Sequence, residues 1–189
     1  MPILPIVTYN DPVLLKKAEE IDIEEDSPEL QTLIDNMLET MYNADGVGLA
    51  APQIGRSMKL FVMDTDEMIE DGEVPYGPMV FINPLILEKR GNKIPLEEGC
   101  LSIPEVNDKV FRPETVIIEF FDRDFNKHRL EASGWTSRVI QHEYDHLEGV
   151  LFLDYLSAFK KRMHKKELKE IETGDKKIKY PVVSKKEAE

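Results

Sequence analysis

The stretch of the chain best equipped for chemistry is Gln141-His142-Glu143-Tyr144-Asp145-His146-Leu147-Glu148-Gly149. On an α-helix four residues advance about 400°, so His142 and His146 face the same way one turn apart. Two ring nitrogens placed like that can meet one metal ion at about 2.0–2.1 Å each. Glu143 lies on the flank of that face, where it can reach a water on the metal without ligating the metal itself. This is the H-E-x-x-H logic of a metal-assisted hydrolase. The competing reading is a solvated helix that carries two surface histidines. Trp135, Val139, His142 and His146 recur at i, i+4, i+7 and i+11, however, which puts the histidines on an apolar, inward face that Gly149 would end.

A catalytic metal usually takes three protein ligands and keeps a fourth position open. A metzincin would place its third histidine at position 152, which is Phe152, a residue that cannot bind metal. A metallopeptidase of the thermolysin kind would use a downstream glutamate, and Glu167, Glu170 and Glu172 all lie in a charged, solvated segment. Upstream stands Glu98-Gly99-Cys100-Leu101-Ser102, with the chain's one cysteine. Taken alone, Cys100 is as readily a packed thiol as a ligand. A third stretch, Gly46-Val47-Gly48-Leu49-Ala50-Ala51-Pro52-Gln53, fits G-x-G-x-x-A. The dinucleotide-binding form of that motif needs a strand before it and a helix after it, whereas here a helix precedes and Pro52 follows. Missing side chains that admit a close backbone approach explain the glycines better, and Gln53 is the one polar side chain at the end of the stretch.

These groups need a scaffold. With 189 residues, 41% hydrophobic and 32% charged, the chain suits one soluble domain with a solvated surface. We expect that domain to span residues 1–172 and residues 173–189 to form a charged, frayed tail. No apolar run reaches the length of a membrane span, no basic segment opens a signal peptide, and a lone cysteine allows no intrachain disulfide. The expected compartment is the cytoplasm. Residues 160–189 hold eleven Lys/Arg against six Asp/Glu, so of the net charge of −13 the first 159 residues carry −18. An acidic body argues against specific DNA binding and general nucleic-acid affinity.

The apolar spacing of Leu30, Leu33, Ile34, Met37, Leu38 and Met41 predicts an amphipathic helix that starts at Pro28, behind Ser27 or Asp26, and ends near Asn43 to Gly46. Strands are expected at Met58–Asp64, at Met79–Ile82 and Leu85–Leu87 on either side of Asn83-Pro84, and at Thr115–Phe121, turning through Asp122–Asn126 into His128–Ala132. Residues 65–78 read as an acidic surface loop without visible chemistry. Phe159, Met163 and Ile171 give a weak stripe to a Lys/Glu-rich C-terminal helix. The fold class is α+β: antiparallel or mixed sheets packed around a central metal-binding helix, with an N-terminal amphipathic helix and a C-terminal helix.

Taken together, the three stretches resemble peptide deformylase, specifically its type 1, bacterial and organellar, branch. Its pattern G-Φ-G-Φ-A-A-x-Q, E-G-C-Φ-S and Q-H-E-x-D-H-L-x-G is met in order at Gly46–Gln53, Glu98–Ser102 and Gln141–Gly149. The resemblance implies hydrolysis of the formyl group from the N-terminal formyl-methionine of new polypeptides. It implies Cys100, His142 and His146 as ligands of one divalent metal, whose fourth position holds the attacking water. The implied metal is Fe²⁺, with Zn²⁺, Ni²⁺ or Co²⁺ able to occupy the site; on spacing alone a Cys-His₂ set suits zinc. Glu143 would be the general base and acid, and the Gln53 side chain and Leu101 N–H the oxyanion donors. Val47, Gly48 and Gly99 would bind the peptide backbone, and Trp135, Arg138 and Val139 would wall the methionine pocket. The resemblance also suggests that the basic C-terminal helix contacts the ribosome. The readings to be separated from this are an H-E-x-x-H metallopeptidase and a closed, non-catalytic structural metal site.

Overall fold

The computed structural model of the protein describes residues 2–23, 27–68 and 75–183. Helix α1 runs from Pro28 to Asn43, and Ser27 caps it by accepting a hydrogen bond from the Leu30 N–H at 3.3 Å. Its buried face, Leu30, Ile34, Met37 and Met41, packs on Leu60, Val62, Val80 and Ile82 of the sheet. Leu33 and Leu38, at the margins of the expected stripe, are only partly buried.

The sheet contains five strands among the described residues: β1 (Gly48–Ala50), β2 (Leu60–Met63), β3 (Met79–Cys100), β4 (Ile103–Phe121) and β5 (Lys127–Ala132). They lie side by side in chain order, and every neighbouring pair is antiparallel. The expectation of antiparallel or mixed sheets thus resolves to one antiparallel sheet. β1 is an edge strand, paired only with β2.

Asn83-Pro84 does not end a strand, as its composition suggests. The ladder slips in register between Ile82 and Leu85, and Asn83 takes a φ of 46°. Its side chain exchanges two hydrogen bonds with the Ile21 backbone, at 2.7 and 2.8 Å, which replace those the ladder loses there. β3 then continues as one arm of a long hairpin that closes on Cys100 paired with Ile103, leaving Leu101 and Ser102 as the connection. Much of that arm is exposed on both faces, so it lacks the alternation that marks a strand in sequence.

Helix α2 (Gly134–Leu147) lies against β1, β2 and β4. Val139, Ile140 and Leu147 on its inner side join a core built on Phe61, Phe81 and Phe120, whose rings stack at 4.4 and 4.1 Å between centroids. The metal-binding sequence therefore sits on a helix held by the sheet along its length.

The C-terminal region differs from the sequence reading in two ways. The expected single helix is two, α3 (Ala158–Met163) and α4 (Lys165–Glu172), which meet at His164. Leu168 and Ile171 are buried, whereas Phe159 and Met163 are 68% and 66% exposed. Nor does the chain fray from Thr173. Pro181 O accepts from Ile6 N–H and Val183 N–H donates to Ile6 O, both at 2.9 Å, and Ile6 and Val182 form a parallel bridge. Backbone pairing, to which side-chain composition gives no clue, holds this segment down. Residues 184–189 of the expected tail lie outside the described residues.

Candidate active site

Cys100, at the tip of the β3–β4 hairpin, meets His142 and His146 from α2. One ligand atom from each lies within 4.8 Å of the others, and Cys100 Sγ is 3.3 Å from His146 Nε2. Two ligands of one tetrahedral ion stand about 3.5 Å apart when each bond is about 2.0–2.3 Å, so the trio fits a single metal. His142 Nδ1 is 3.0 Å from Glu98 Oε2, which leaves Nε2 for the metal. Burial works against a proton on His142, but the Cys100 and Glu98 hydrogen bonds outweigh it and raise its pKa well above the usual value. Surroundings that favour positive charge there also suit a cation. Burial, together with His142 and Arg112, pushes His146 well below its usual value, into the neutral form that ligates.

Behind the ligands is a buried ion cluster. Arg112, 1% exposed, grips Glu98 with its Nε and Nη2 at 2.7 and 3.0 Å and reaches Asp145 through Nη1 at 2.5 Å. Arg138 Nη1 donates to the same Glu98 at 2.8 Å, and the Tyr155 hydroxyl donates to Asp145 at 2.9 Å. Burial alone would raise the Glu98 carboxyl, but His142 and Arg112 hold it well below the usual carboxylate range. Sequence reasoning assigned no role to Glu98 or Arg112. A glutamate just before a presumed ligand was the available signal, while Arg112 comes from the opposite strand of a hairpin whose register the sequence does not reveal.

Glu143 is buried, and its Oε2 has no hydrogen-bond partner among the described residues. Burial is the main cause that pushes its carboxyl up to about 7, with Glu98 and Asp145 adding to it and His142 and Arg112 opposing. Gly48 of β1 explains how the carboxylate fits: a Cβ there would stand 2.4 Å from Glu143 Oε1. Gln53 is 1% exposed, and its Oε1 accepts from the Ala50 N–H at 2.8 Å. That bond turns Nε2 towards Cys100 Sγ at 3.5 Å and Ser102 Oγ at 3.4 Å. Gly99 occupies the bulge before Cys100, where a Cβ would come within 2.2 Å of Asn107 Oδ1.

A cleft of about 430 Å³ collects these groups. Val47, Gly48, Gln53, Gly99, Cys100 and Leu101 line it together with Trp135, Arg138, Val139, His142 and Glu143, and His146 is buried beside them. Arg138 spends its guanidinium on Glu98 and on the Val110 and Ile94 carbonyls, at 2.8–2.9 Å, so it serves the wall and the ion cluster at once. Linings that were not anticipated include Met68 from the acidic loop, Asn107 on β4, and the segment Lys177–Tyr180. Only the fold brings these near the site, and residues 69–74 of that loop lie outside the described residues.

The family model described as polypeptide deformylase matches residues 3–162. The chain belongs to the polypeptide deformylase family. It is thereby a hydrolase of translation and N-terminal processing. The peptide deformylase of Salinibacter ruber is 50% identical over 188 residues, covering 97% of this chain and 95% of that one. That of Christiangramia forsetii is 48% identical over 186 residues, covering 94% of each. Among solved structures, the Ehrlichia chaffeensis peptide deformylase in complex with actinonin matches with a TM-score of 0.83 and 37% identity, over 94% of this chain and 100% of that one. The Thermotoga maritima peptide deformylase matches at 0.75 and 39%, over 83% and 99%. The α+β fold is that of these deformylases. No helix among the described residues is long and apolar enough to cross a membrane.

Proposed function

We propose that this chain removes the formyl group from the N-terminal formyl-methionine of newly synthesised polypeptides in the cytoplasm. The observation that carries the reading is that one cleft and its wall bring three things together: the Cys100–His142–His146 trio, the Gln53 amide and the Glu143 oxygen that has no partner among the described residues. A structural metal site has no use for the last two. Cys100, His142 and His146 would hold one divalent metal, assigned as Fe²⁺ on the family resemblance. When bound, it supplies a Lewis acid that polarises the formyl carbonyl and eases ionisation of water.

The protein's own groups do the rest. Glu143 takes the proton of the attacking water and returns it to the leaving amine, a task suited to a carboxyl that burial has brought near neutral pKa. Gln53 Nε2, held in place by the Ala50 N–H, and the Leu101 N–H donate to the developing oxyanion. Val47 and Gly48, at the free edge of β1, and Gly99 offer backbone groups to an extended peptide, which gives affinity with little demand on sequence. The methionine side chain enters between Trp135, Arg138 and Val139. Lys160, Lys161, Lys166 and Lys169 pair with Asp108, Asp154, Glu170 and Glu172 of the chain itself, so any ribosome contact of α3 and α4 competes with these surface pairs or rests on the other cations. Ribosome co-sedimentation before and after deletion of residues 160–189 tests it.

The deciding experiment is anaerobic purification, metal analysis and an assay of formate release from formyl-Met-Ala against the unformylated dipeptide. Glu143→Ala should keep its metal and lose turnover by about 10²–10⁴-fold. Undiminished formate release by that variant would remove the general base. Cleavage of the unformylated dipeptide would favour a peptidase.

A further inference from the structure

Two short backbone segments close on the loops that carry the oxyanion donors. Val7 N–H donates to Gln53 O, and Tyr9 N–H to Ser102 O, both at 2.8 Å. The segment carrying Gln53 and the hairpin tip are thus tied to one strip, residues 6–9. Residues 180–183 pair with the same strip at Ile6, through the Pro181 and Val183 bonds. From there the Tyr180 hydroxyl reaches back and donates to Leu101 O at 2.6 Å. Lys176 supports the approach by pairing with Glu105 of β4 at 2.6 Å.

Leu101 sits in the two-residue connection between Cys100 and Ile103, where no ladder bond of the sheet holds it. The Leu101 N–H belongs to the Cys100–Leu101 peptide and the Leu101 carbonyl to the next one; the two are joined only through φ and ψ of Leu101, so fixing the carbonyl limits how far the N–H can turn. Tyr180 supplies that restraint. Its ring is half buried against the core that also receives Leu101 and α1, so the hydroxyl is delivered by a side chain with little freedom of its own.

Resting on the deformylase reading above, we infer that Tyr180 is a positioning residue for the reaction, holding the Leu101 N–H on the oxyanion through the Leu101 carbonyl. The segment Lys176–Val183 is in this view part of the active site, although the family match ends at residue 162. An oxyanion donor that drifts out of line loses its contribution to the transition state and leaves the ground state untouched.

Tyr180→Phe in the full-length, metal-loaded protein tests this. The phenyl ring keeps the packing and removes only the hydroxyl. The expected result is a fall in kcat of about tenfold, short of the 10²–10³-fold for outright loss of an oxyanion donor. KM for formyl-Met-Ala, metal content and melting temperature should stay at wild-type values. The amide resonance of Leu101, followed by ¹⁵N-edited NMR with Zn²⁺ in the site, should shift and broaden. Wild-type kcat in the variant would overturn the inference, and so would kcat, KM and melting temperature falling together, which marks a packing role. No formate release by the wild-type protein would instead overturn the deformylase reading on which the inference stands.

Discussion

Gly48→Ala is the smallest change that should disable the site without touching a catalytic side chain. The added methyl would lie 2.4 Å from Glu143 Oε1, 2.7 Å from Cδ and 2.9 Å from Cγ. Ordinary contact begins near 3.4 Å. The carboxylate must therefore withdraw by about 1 Å, or β1 must move by as much, and a misplacement of that size costs about 10²-fold in rate. Expressed as a barrier this is about 2.7 kcal/mol. Glu143 is buried where it borders the cleft, so its carboxylate can avoid the methyl only by leaving its place beside Gly48. The 10²–10⁴-fold worth of a general base sets the ceiling.

The assay is kcat/KM for formate release, read beside metal content and melting temperature, in the four proteins of a double-mutant cycle with Glu143→Ala. If the methyl acts through Glu143, adding Gly48→Ala to Glu143→Ala should cost less than about threefold. A Gly48→Ala protein within about threefold of wild type, with full metal, would refute the steric argument. Full additivity would refute it too, since it would mean that Gly48 acts on the substrate strand and not on Glu143.

Three further outcomes follow from the same geometry. Cys100→Ala should purify without stoichiometric metal, because the remaining two histidines make an incomplete site; unchanged metal content by elemental analysis would take Cys100 out of the ligand set. Glu98→Ala removes the partner of His142 and of two arginines. It should weaken metal binding about 10–100-fold in competition with a chelator, and cost roughly 3–5 kcal/mol in denaturant unfolding of the metal-free protein. Asp108 ties the hairpin to Lys160 and to His164, the latter at 3.1 Å, and these partners outweigh burial and lower its pKa. A lowered carboxyl contributes stability that is present above its unfolded value of about 3.9 and lost as pH falls through the folded value. Melting temperature should therefore drop more steeply below about pH 4 in wild type than in Asp108→Asn.

The parts of the fold that sequence patterns revealed are those with one wet and one dry face. The stripe from Leu30 to Met41 and the face shared by Val139, His142 and His146 are legible because burial imposes the helical period. The β3–β4 arm is not, because residues 88–97 touch water on both sides and nothing enforces alternation. Three candidate site residues were legible for a similar reason: His142, Glu143 and His146 sit on one helix, where spacing is geometry. Cys100 and Gln53 needed the family pattern, since their meeting depends on which strands pair. Tyr180 and Asn107 carry no sequence signal at all, as each reaches the cleft through backbone pairing or hairpin register.

The same distinction explains why the proposed metal ligands rest on so costly a support. Glu98, Arg112, Arg138 and Asp145 are nearly all buried, and moving such charges out of water is rarely repaid in stability; apolar replacements of the same volume often do as well or better. Stability is therefore a poor reason for the cluster. Orientation is a better one. Glu98 lies on the hairpin and His142 on α2, while Arg112 binds Glu98 from one strand over and Asp145 from the helix that carries His142. One bidentate guanidinium thereby fixes the distance between the two elements that supply all three ligands. A hydrophobic contact would hold hairpin and helix together equally well, but it would let them slide, and a slip of even half an ångström would spoil a site whose bonds are about 2.0–2.3 Å long.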